Sequence, residues 1–156
     1  MNQENPTCRR ANTRDSDAIE VVLRNTLAEY EIELPHNYSF SDIENLEEVY
    51  LDSGGEFTVL LRAQTIIGFF ALLPADDNQV ELKRLYLTAA ERGKGLGKYL
   101  LESALGKAGK AGHQRIYLET TSKFIEAVGL YQKYGFKTNV GATLSQGHDI
   151  GLARNL

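Results

Sequence analysis

Cysteine and long apolar runs are both scarce in this chain. Cys8 is the single cysteine, so no disulfide can form within the protein, and this favours a reducing cytoplasm. The longest apolar run lies between Thr65 and Pro74 and is far shorter than the roughly 18 to 20 residues that span a membrane. The N-terminal stretch MNQENPTCRR is polar and lacks the apolar centre of a signal peptide. We therefore expect a cytoplasmic protein that does not act at a membrane.

Motifs of several common catalytic and phosphate-binding sites are also missing. His36, His113 and His148 show no metal-ligand spacing, which predicts that no metal is bound. The chain has neither the G-x-S-x-G motif of many hydrolases nor a Walker A loop. A dinucleotide fingerprint fails on its glycine spacing, although Glu119 lies about where the ribose-binding acid would be. A nucleotide-dependent dehydrogenase is therefore disfavoured.

The overall composition fits one globular domain. The 156 residues are 42% hydrophobic and 24% charged, which provides enough apolar material for a buried core. No internal repeat, low-complexity tract or long linker divides the sequence. We therefore expect a single domain that spans residues 1–156.

Charge is distributed unevenly along the chain. The net charge is −4, but residues 15–56 carry −11 and residues 82–115 carry +6. A nucleic-acid-binding protein would usually be basic overall, so we expect no nucleic-acid partner. The separation predicts that one surface attracts cations and another attracts anions, and solvated helix faces explain it equally well.

Hydrophobic periodicity predicts an α/β (α+β) fold. A helix capped by Asp15 or Ser16 should follow a short N-terminal strand, and a second short helix should begin at Ser41. A strand, a helix and a strand between Gln79 and Thr120 require a crossover, so those two strands should be parallel. The positions expected on the buried face of the first helix are Ile19, Val22, Leu23, Thr26 and Leu27. The later elements expected are a helix from Gly97 to about Gly109, a helical stripe from Phe124 to Tyr131, and extended runs over Phe136–Val140 and Asp149–Ala153.

One extended run, Gln79–Leu87, contains a change of parity. Its apolar side chains fall at even positions up to Leu82 and at odd positions from Leu85. One inserted residue near positions 83–84 would restore a continuous buried face. We therefore predict a β-bulge there, and the alternative is a strand end that is buried on both faces.

A glycine-rich loop is the sharpest local signal in the sequence. The run Arg92-Gly93-Lys94-Gly95-Leu96-Gly97 lies between a predicted strand and a predicted helix, and Lys98 follows it. Three glycines let successive backbone N–H groups point into one concavity, while the helix start and the cations add positive charge. This combination is typical of a diphosphate site, and a plain glycine-rich turn is the alternative.

This loop and three other segments resemble the GCN5-related N-acetyltransferase (GNAT) family. The other segments are the strand Val80–Leu87, the strand Ile116–Thr120 and the sequence LYQKYGF at residues 130–136. The resemblance implies a mostly antiparallel sheet of six to seven strands with about four helices. It also implies that the parallel fourth and fifth strands splay apart and leave a slot for the cofactor.

Acetyl-CoA is the cofactor that the resemblance implies, as acetyl donor and without a metal. Its pyrophosphate would lie on the backbone amides of residues 92–97. Its pantetheine arm would pair with the backbone of Leu85, Tyr86 and Leu87. The amides, Lys94 and Lys98 would thus hold an anionic ligand.

Two side chains match the catalytic positions of the family. Glu81 matches the general base, which often acts through water, and Tyr131 matches the general acid near the thioester sulfur. The Leu87 N–H would support the thioester oxygen. The alternatives are an exposed strand residue for Glu81 and a core residue for Tyr131.

One position departs from the family pattern. Many relatives carry an asparagine seven residues before the tyrosine, where it contacts the pantetheine, and Phe124 occupies that position here. Backbone groups, or Thr120 and Thr121, would have to hold the arm instead.

A primary amine, on a small molecule or a peptide, is the implied acceptor. The acidic segment 15–56 favours a cationic amine, whereas the segments Glu31–Ser41 and Val140–Asp149 carry no readable specificity pattern. A non-catalytic acetyl-CoA sensor or interaction module is the alternative function, since fold alone does not fix activity. A homodimer is also consistent with the resemblance, because C-terminal strands often pair across dimers in this family.

Overall fold

The computed structural model describes residues 4–156, and seven strands of this part of the chain form one sheet. The strands are β1 (Thr7–Arg10), β2 (Glu56–Arg62), β3 (Thr65–Pro74), β4 (Gln79–Leu87), β5 (Arg115–Thr120), β6 (Lys137–Thr138) and β7 (Ile150–Asn155). Their order across the sheet is β1-β2-β3-β4-β5-β7-β6, and all neighbours are antiparallel except β4 and β5. The predicted mixed, mostly antiparallel sheet is confirmed.

Helices cover both faces of this sheet. They are α1 (Ser16–Glu29), α2 (Ser41–Glu44), α3 (Leu96–Lys110) and α4 (Ile125–Lys133), with a π-helical turn at Glu47–Leu51 and 3-10 turns at Thr13–Asp15 and Ala89–Glu91. The extended run predicted over Phe136–Val140 is reduced to the two residues of β6. The run predicted over Asp149–Ala153 corresponds to β7, which ends two residues later than expected.

Two hydrophobic clusters form the core, one on each face of the sheet. The cluster on the α1 and α2 face includes the fully buried Phe40, Ile43 and Tyr50. The cluster on the α3 and α4 face includes Leu100 and Leu101. Every position of the predicted α1 stripe is buried, which confirms that stripe; the positions are Ile19, Val22, Leu23, Thr26 and Leu27.

Asp15 occupies the predicted N-cap position of α1, but its side chain makes no capping hydrogen bond to that helix. Asn12 opens the preceding 3-10 turn through a capping box in which the Asp15 carboxylate accepts the Asn12 N–H at 2.9 Å. The same carboxylate accepts two bonds from Arg9 at 2.8 Å, and the Ser16 hydroxyl donates to the Ile43 carbonyl at 2.8 Å. Both side chains therefore have partners other than the first amides of α1.

The predicted β-bulge in β4 is confirmed. Lys83 pairs with Ala71 and Tyr86 pairs with Phe69, so two residues of β4 stand opposite one residue of β3. Arg84 is the bulged residue with a left-handed backbone, at φ 58°. Apolar side chains before and after the bulge reach the same α3 and α4 cluster, because the extra residue restores the parity.

Strands β4 and β5 separate after a short parallel pairing. The paired residues are Gln79 with Arg115, Val80 with Ile116 and Glu81 with Tyr117. Beyond them β5 pairs only with β7, while β4 pairs only with β3. The gap between residues 82–87 of β4 and 118–120 of β5, called the slot below, therefore leaves one backbone edge of β4 without a strand partner.

Candidate active site

The backbone of β4 presents polar groups to the slot. The Thr88 N–H donates to the Ile67 carbonyl of β3 at 2.9 Å. Because strand residues alternate in direction, Tyr86 also turns its N–H and carbonyl toward β3, whereas Leu85 and Leu87 turn theirs toward the slot. Of the three residues predicted to pair with a pantetheine arm, Leu85 thus turns both backbone groups toward the slot, whereas Leu87 leaves only its N–H free because its carbonyl accepts from Arg92. The Tyr86 side chain packs in the α1 and α2 cluster.

The glycine-rich loop leads from β4 into α3 and leaves a row of amides without protein partners. Gly93 and Gly95 have φ of 75° and 80°, and Gly95 precedes α3 with no side-chain cap. The first amide of the helix with an acceptor is that of Tyr99, which donates to the Gly95 carbonyl at 3.1 Å. In the described chain the N–H groups of residues 93–98 find no acceptor. They lie at the N-terminus of α3, and a helix N-terminus attracts anions.

The side chain of Arg92, at the beginning of this loop, is bound by other residues of the protein. Its guanidinium donates to the Leu87 carbonyl at 3.0 and 3.2 Å and forms an ion pair with Glu29 at the end of α1. It also lies 5.5 Å from the centre of the Tyr30 ring. The side chain of Arg92 therefore joins α1 to β4, and its charge is neutralised locally by Glu29.

The two lysines of the loop are more exposed. The Lys94 ammonium lies 3.5 Å from Glu91, which is itself held by Arg62 at 2.9 and 3.0 Å. The Lys98 ammonium lies 3.9 Å from Glu102 and its side chain is 63% exposed. Glu91 already pairs with Arg62, so positive charge remains beside the unpartnered amides.

Glu81 occupies the last paired position of β4, where the strands begin to separate. Its carboxyl is half-buried, and burial raises its pKa above the ordinary value. The nearby Glu119 carboxylate raises this pKa further, whereas Lys83 and His148 oppose the shift. Glu81 lies on the α1 and α2 side of the sheet, since its neighbours along β4 point into the opposite cluster.

Glu119 is a site residue that sequence reasoning did not assign to this chemistry. The Ser145 N–H donates to both of its carboxylate oxygens at 3.3 Å, and His148 Nδ1 lies 3.5 Å from one of them. The one sequence signal for Glu119 is the alternation of buried and less buried residues along β5, which places Glu119 on the face opposite the buried Leu118. A cavity of about 330 Å³ adjoins this face and is lined by Asp76, Gln79, Arg115, Tyr117, Glu119 and Asn139, among others.

Tyr131 lies on α4, on the other side of the sheet from Glu81. It is 6% exposed and packs 5.7 Å from the Phe136 ring, so it belongs to the core stripe as well. Burial, and secondarily the Tyr86 hydroxyl, raise the pKa of Tyr131 well above the ordinary value. The Tyr131 hydroxyl forms no hydrogen bond with any group of residues 4–156. Within these residues, every completely buried polar side-chain atom has a hydrogen-bond partner. The hydroxyl is therefore not completely shielded from solvent, although the residue as a whole is buried.

Phe124 stands directly before α4 and joins a row of aromatic rings. Its ring lies 4.8 Å from Tyr30 and 6.0 Å from Tyr86, in edge-to-face contact with both. The Thr121 hydroxyl accepts a nearby backbone N–H at 3.3 Å, and Thr120 is buried. The Phe124 ring thus bridges the end of α1 and β4.

Two kinds of feature are not found in the part of the chain that the structure describes. No group of three or more histidine, cysteine, aspartate or glutamate side chains is arranged to hold a metal ion between residues 4 and 156. Across the same residues, no helix combines the length and the apolar character needed to cross a bilayer.

Comparison with known proteins places these features in a family. The model of the acetyltransferase (GNAT) family matches residues 22–136. The uncharacterized N-acetyltransferase YjgM of Escherichia coli (strain K12) is 33% identical over 139 residues, which cover 86% of this chain and 83% of that protein.

Solved structures agree in fold. A GNAT acetyltransferase from Staphylococcus aureus Mu50 superposes with a TM-score of 0.88 over 97% of this chain and 99% of its own, at 24% identity. The PaiA N-acetyltransferase from Thermoplasma acidophilum, solved in complex with coenzyme A, superposes with a TM-score of 0.76 over 98% of this chain and 100% of its own, at 25% identity. The match to the family model covers most of the sequence, and the chain therefore belongs to the GNAT family of acetyltransferases.

Proposed function

We propose that this protein transfers the acetyl group of acetyl-CoA to a primary amine. The observation that carries the proposal is the row of unpartnered amides at residues 93–98, placed beside a slot whose β4 edge also lacks a strand partner. A relative of the same fold is solved in complex with coenzyme A, which supports this ligand class.

The chemical character of the two surfaces fits the two parts of such a ligand. Amides at the start of α3 would hold the pyrophosphate, and the charges of Lys94 and Lys98 would add attraction. The slot-facing backbone groups of Leu85 and the N–H of Leu87 would pair with the amide-containing pantetheine arm, since the Leu87 carbonyl accepts from Arg92. When bound, acetyl-CoA supplies a thioester, which is an acyl group activated for attack by an amine.

Glu81 is proposed to remove the proton of the acceptor amine, directly or through water. An amine attacks only in its neutral form, so a group near the slot must accept a proton. The raised pKa of Glu81 brings its proton affinity closer to what a general base needs near neutral pH. Positioning of the two reactants supplies much of the rate in such reactions, so we expect loss of the base to be only partly damaging.

Tyr131 is proposed to donate a hydrogen bond to the sulfur as the thiolate leaves. Its raised pKa keeps the hydroxyl protonated throughout the physiological range. A thiol has an ordinary pKa of about 8.5, so full proton transfer from this phenol to the thiolate would be unfavourable. Hydrogen-bond donation to the developing charge is therefore the role that the environment of Tyr131 supports, together with the Leu87 N–H for the thioester oxygen.

The pH profile tests the assignment of Glu81 through its neighbours. A base must be deprotonated, so activity is lost as the pH falls through the raised pKa of Glu81. Glu119→Gln removes a negative neighbour and keeps oxygen and amide groups for Ser145, so the midpoint of the acid limb of kcat/KM should move to lower pH. Lys83→Met removes a positive neighbour, so the midpoint should move to higher pH.

Thiol release from acetyl-CoA, measured at saturating acetyl-CoA across pH, provides this comparison. Glu81→Gln should remove the part of the acid limb of kcat/KM that Glu119→Gln and Lys83→Met shift, because the Glu81 carboxyl that titrates there is gone. The ionisation of the acceptor amine itself is common to all variants and cancels. Identical midpoints in Glu119→Gln and Lys83→Met would refute the assignment of Glu81 as the base.

An amine panel at two salt concentrations tests the proposed function and its acceptor class. The panel comprises 1,4-diaminobutane, glycinamide, a lysine-containing peptide, glycine and 2-aminoethyl phosphate. We expect transfer to the cationic amines, with kcat/KM falling about threefold or more between about 0.02 and 0.15 M salt, because steering by unlike charges is screened. Transfer to none of them, with coenzyme A binding intact, would replace the enzyme with a sensor.

The salt response is expected to be moderate because part of the acidic segment is already neutralised. Several of its carboxylates form ion pairs with arginine or lysine, namely Asp15, Glu20, Glu29, Asp42 and Glu56. The remaining carboxylates of residues 15–56 provide the attraction. A flat salt response, or a preference for 2-aminoethyl phosphate, would contradict charge steering.

A further inference from the structure

Arg84 has a left-handed backbone conformation, and its side chain forms an ion pair with Asp42. It sits at the bulge of β4 with φ 58°, a conformation that is uncommon for residues other than glycine. It lies three positions after Glu81 and three positions before Leu87. The backbone at Arg84 therefore sets the relative placement of the proposed base and the proposed thioester-facing amide.

The side chain of Arg84 forms a two-point ion pair with Asp42 of α2. Its Nε donates to Asp42 Oδ2 at 2.9 Å and its Nη2 donates to Asp42 Oδ1 at 2.8 Å. The Tyr50 hydroxyl donates to Asp42 Oδ2 at 2.6 Å. Both charged side chains are less than one-fifth exposed, so this pair is screened much less than a surface pair.

This pair continues into the segment that precedes α2. The Arg84 guanidinium lies 5.4 Å from the centre of the Phe40 ring, and the Arg24 guanidinium lies 5.0 Å from the same ring. Arg24, on α1, also donates to the Tyr38 carbonyl at 3.2 Å. One connected set of contacts therefore runs from α1 through residues 38–42 to the bulge of β4.

We propose that the Arg84–Asp42 pair is a positioning element that holds the bulge of β4 in register with α2, so that an amine bound on the α1 and α2 face meets Glu81 and the Leu87 amide together. This inference rests on the proposed function. Arg84 and Asp42 act through the backbone of β4 and need not touch the acceptor. Loss of the pair releases the bulge on its α2 side, while the pairing of β4 with β3 on both sides of the bulge remains.

A second ion pair of the same chemistry provides a matched control. Arg9 donates to both carboxylate oxygens of Asp15 at 2.8 Å, and this pair joins β1 to the turn before α1, at the far edge of the sheet. Asp15→Asn and Asp42→Asn therefore remove the same charge from the same kind of two-point contact. Asp15→Asn reports the cost of breaking such a pair away from the slot, although the Arg9 side chain is 43% exposed and that of Arg84 only 19%. An effect on the reaction should appear only in Asp42→Asn.

The experiment compares Asp42→Asn, Arg84→Gly, their double variant and Asp15→Asn. Arg84→Gly removes the side chain while relieving the backbone strain, since glycine adopts positive φ readily. We measure kcat and KM for the best amine of the panel, the Kd of coenzyme A, and hydrogen exchange of residues 41–51 and 82–88 in the free protein. Asp42→Asn and Arg84→Gly should each lower kcat/KM for the amine by about tenfold, with the Kd of coenzyme A within about threefold.

The double variant and the control decide between positioning and plain stability. The double variant should lose no more kcat/KM than the worse single variant, because both changes remove one interaction. Asp15→Asn should keep kcat/KM within about twofold, whatever its melting temperature. Wild-type kinetics in Asp42→Asn, or an equal kinetic loss in Asp15→Asn, would overturn the inference.

Failure of the proposed function gives a different result from failure of this inference. If the wild-type protein acetylates no amine of the panel, the proposed function fails and hydrogen exchange alone decides the inference. Faster exchange in both 41–51 and 82–88 in Asp42→Asn, and in neither segment in Asp15→Asn, would then support a link between α2 and the bulge. Unchanged exchange in these segments would overturn it.

Discussion

Gly97→Val is expected to abolish measurable binding of coenzyme A while the protein remains folded. A β-carbon at Gly97 would meet only Leu130 Cδ2, at an ordinary 3.8 Å, so the fold has room for it. The isopropyl group would stand among the free amides at the start of α3, where the pyrophosphate is proposed to lie. Loss of two charge-assisted hydrogen bonds, at about 1.5 kcal/mol each, corresponds to a Kd raised by about 100-fold.

Gly106→Val is the matched control for this substitution. Gly106 lies on the same helix, is exposed, and has no atom within 4 Å of an added β-carbon. Titration calorimetry and the thermal shift produced by coenzyme A should therefore match the wild-type protein for Gly106→Val and vanish for Gly97→Val. Normal binding by Gly97→Val would remove the loop amides from the proposed site.

Tyr131→Phe is expected to lower kcat by about 100-fold and to change the Kd of coenzyme A by less than about threefold. The substitution removes one hydroxyl and keeps the ring, so its packing against Phe136 is preserved. If the hydroxyl stabilises the departing thiolate, its loss affects the transition state much more than the bound ground state. Steady-state kinetics with the best panel amine and calorimetry with coenzyme A separate the two quantities.

Tyr134→Phe serves as the companion variant. Tyr134 follows α4, and its hydroxyl donates to Glu102 on the surface, so this variant also loses one phenolic hydroxyl. We expect its kcat to stay within about twofold of the wild-type value, as is usual for an exposed hydrogen bond outside a reaction site. A wild-type kcat in Tyr131→Phe would leave Tyr131 with only its core role.

The elements that sequence alone predicted well are those governed by local pattern. The parity change between Leu82 and Leu85 was enough to place the bulge, because a strand has a strict two-residue period. The α1 stripe followed from helical period in the same way. The glycine-rich run of residues 92–97 was likewise placed correctly between a strand and a helix, and the structure adds the left-handed backbones of Gly93 and Gly95.

The features that sequence alone missed depend on contacts between distant segments. Nothing local to Asp42 indicates that Arg84 will meet it, since α2 and the bulge come together only when the sheet has formed. The contact of Ser145 and His148 with Glu119 depends on how the loop before β7 folds over β5. The absence of a side-chain capping bond from Asp15, the N-cap residue of α1, has the same origin, because Arg9 from the edge strand binds that carboxylate.

The short pairing of β4 with β5 also bears on how the protein folds. Strands β2, β3 and β4 follow one another through tight turns, so their antiparallel contacts close small loops and can form early. The parallel contact of β4 with β5 must wait for the crossover through α3, and it gains only three residue pairs when it forms. We therefore expect the β4–β5 junction to be among the last parts of the sheet to assemble and the first to open. The cleft proposed to receive coenzyme A would then lie at the junction of the sheet that has the least strand pairing to hold it closed.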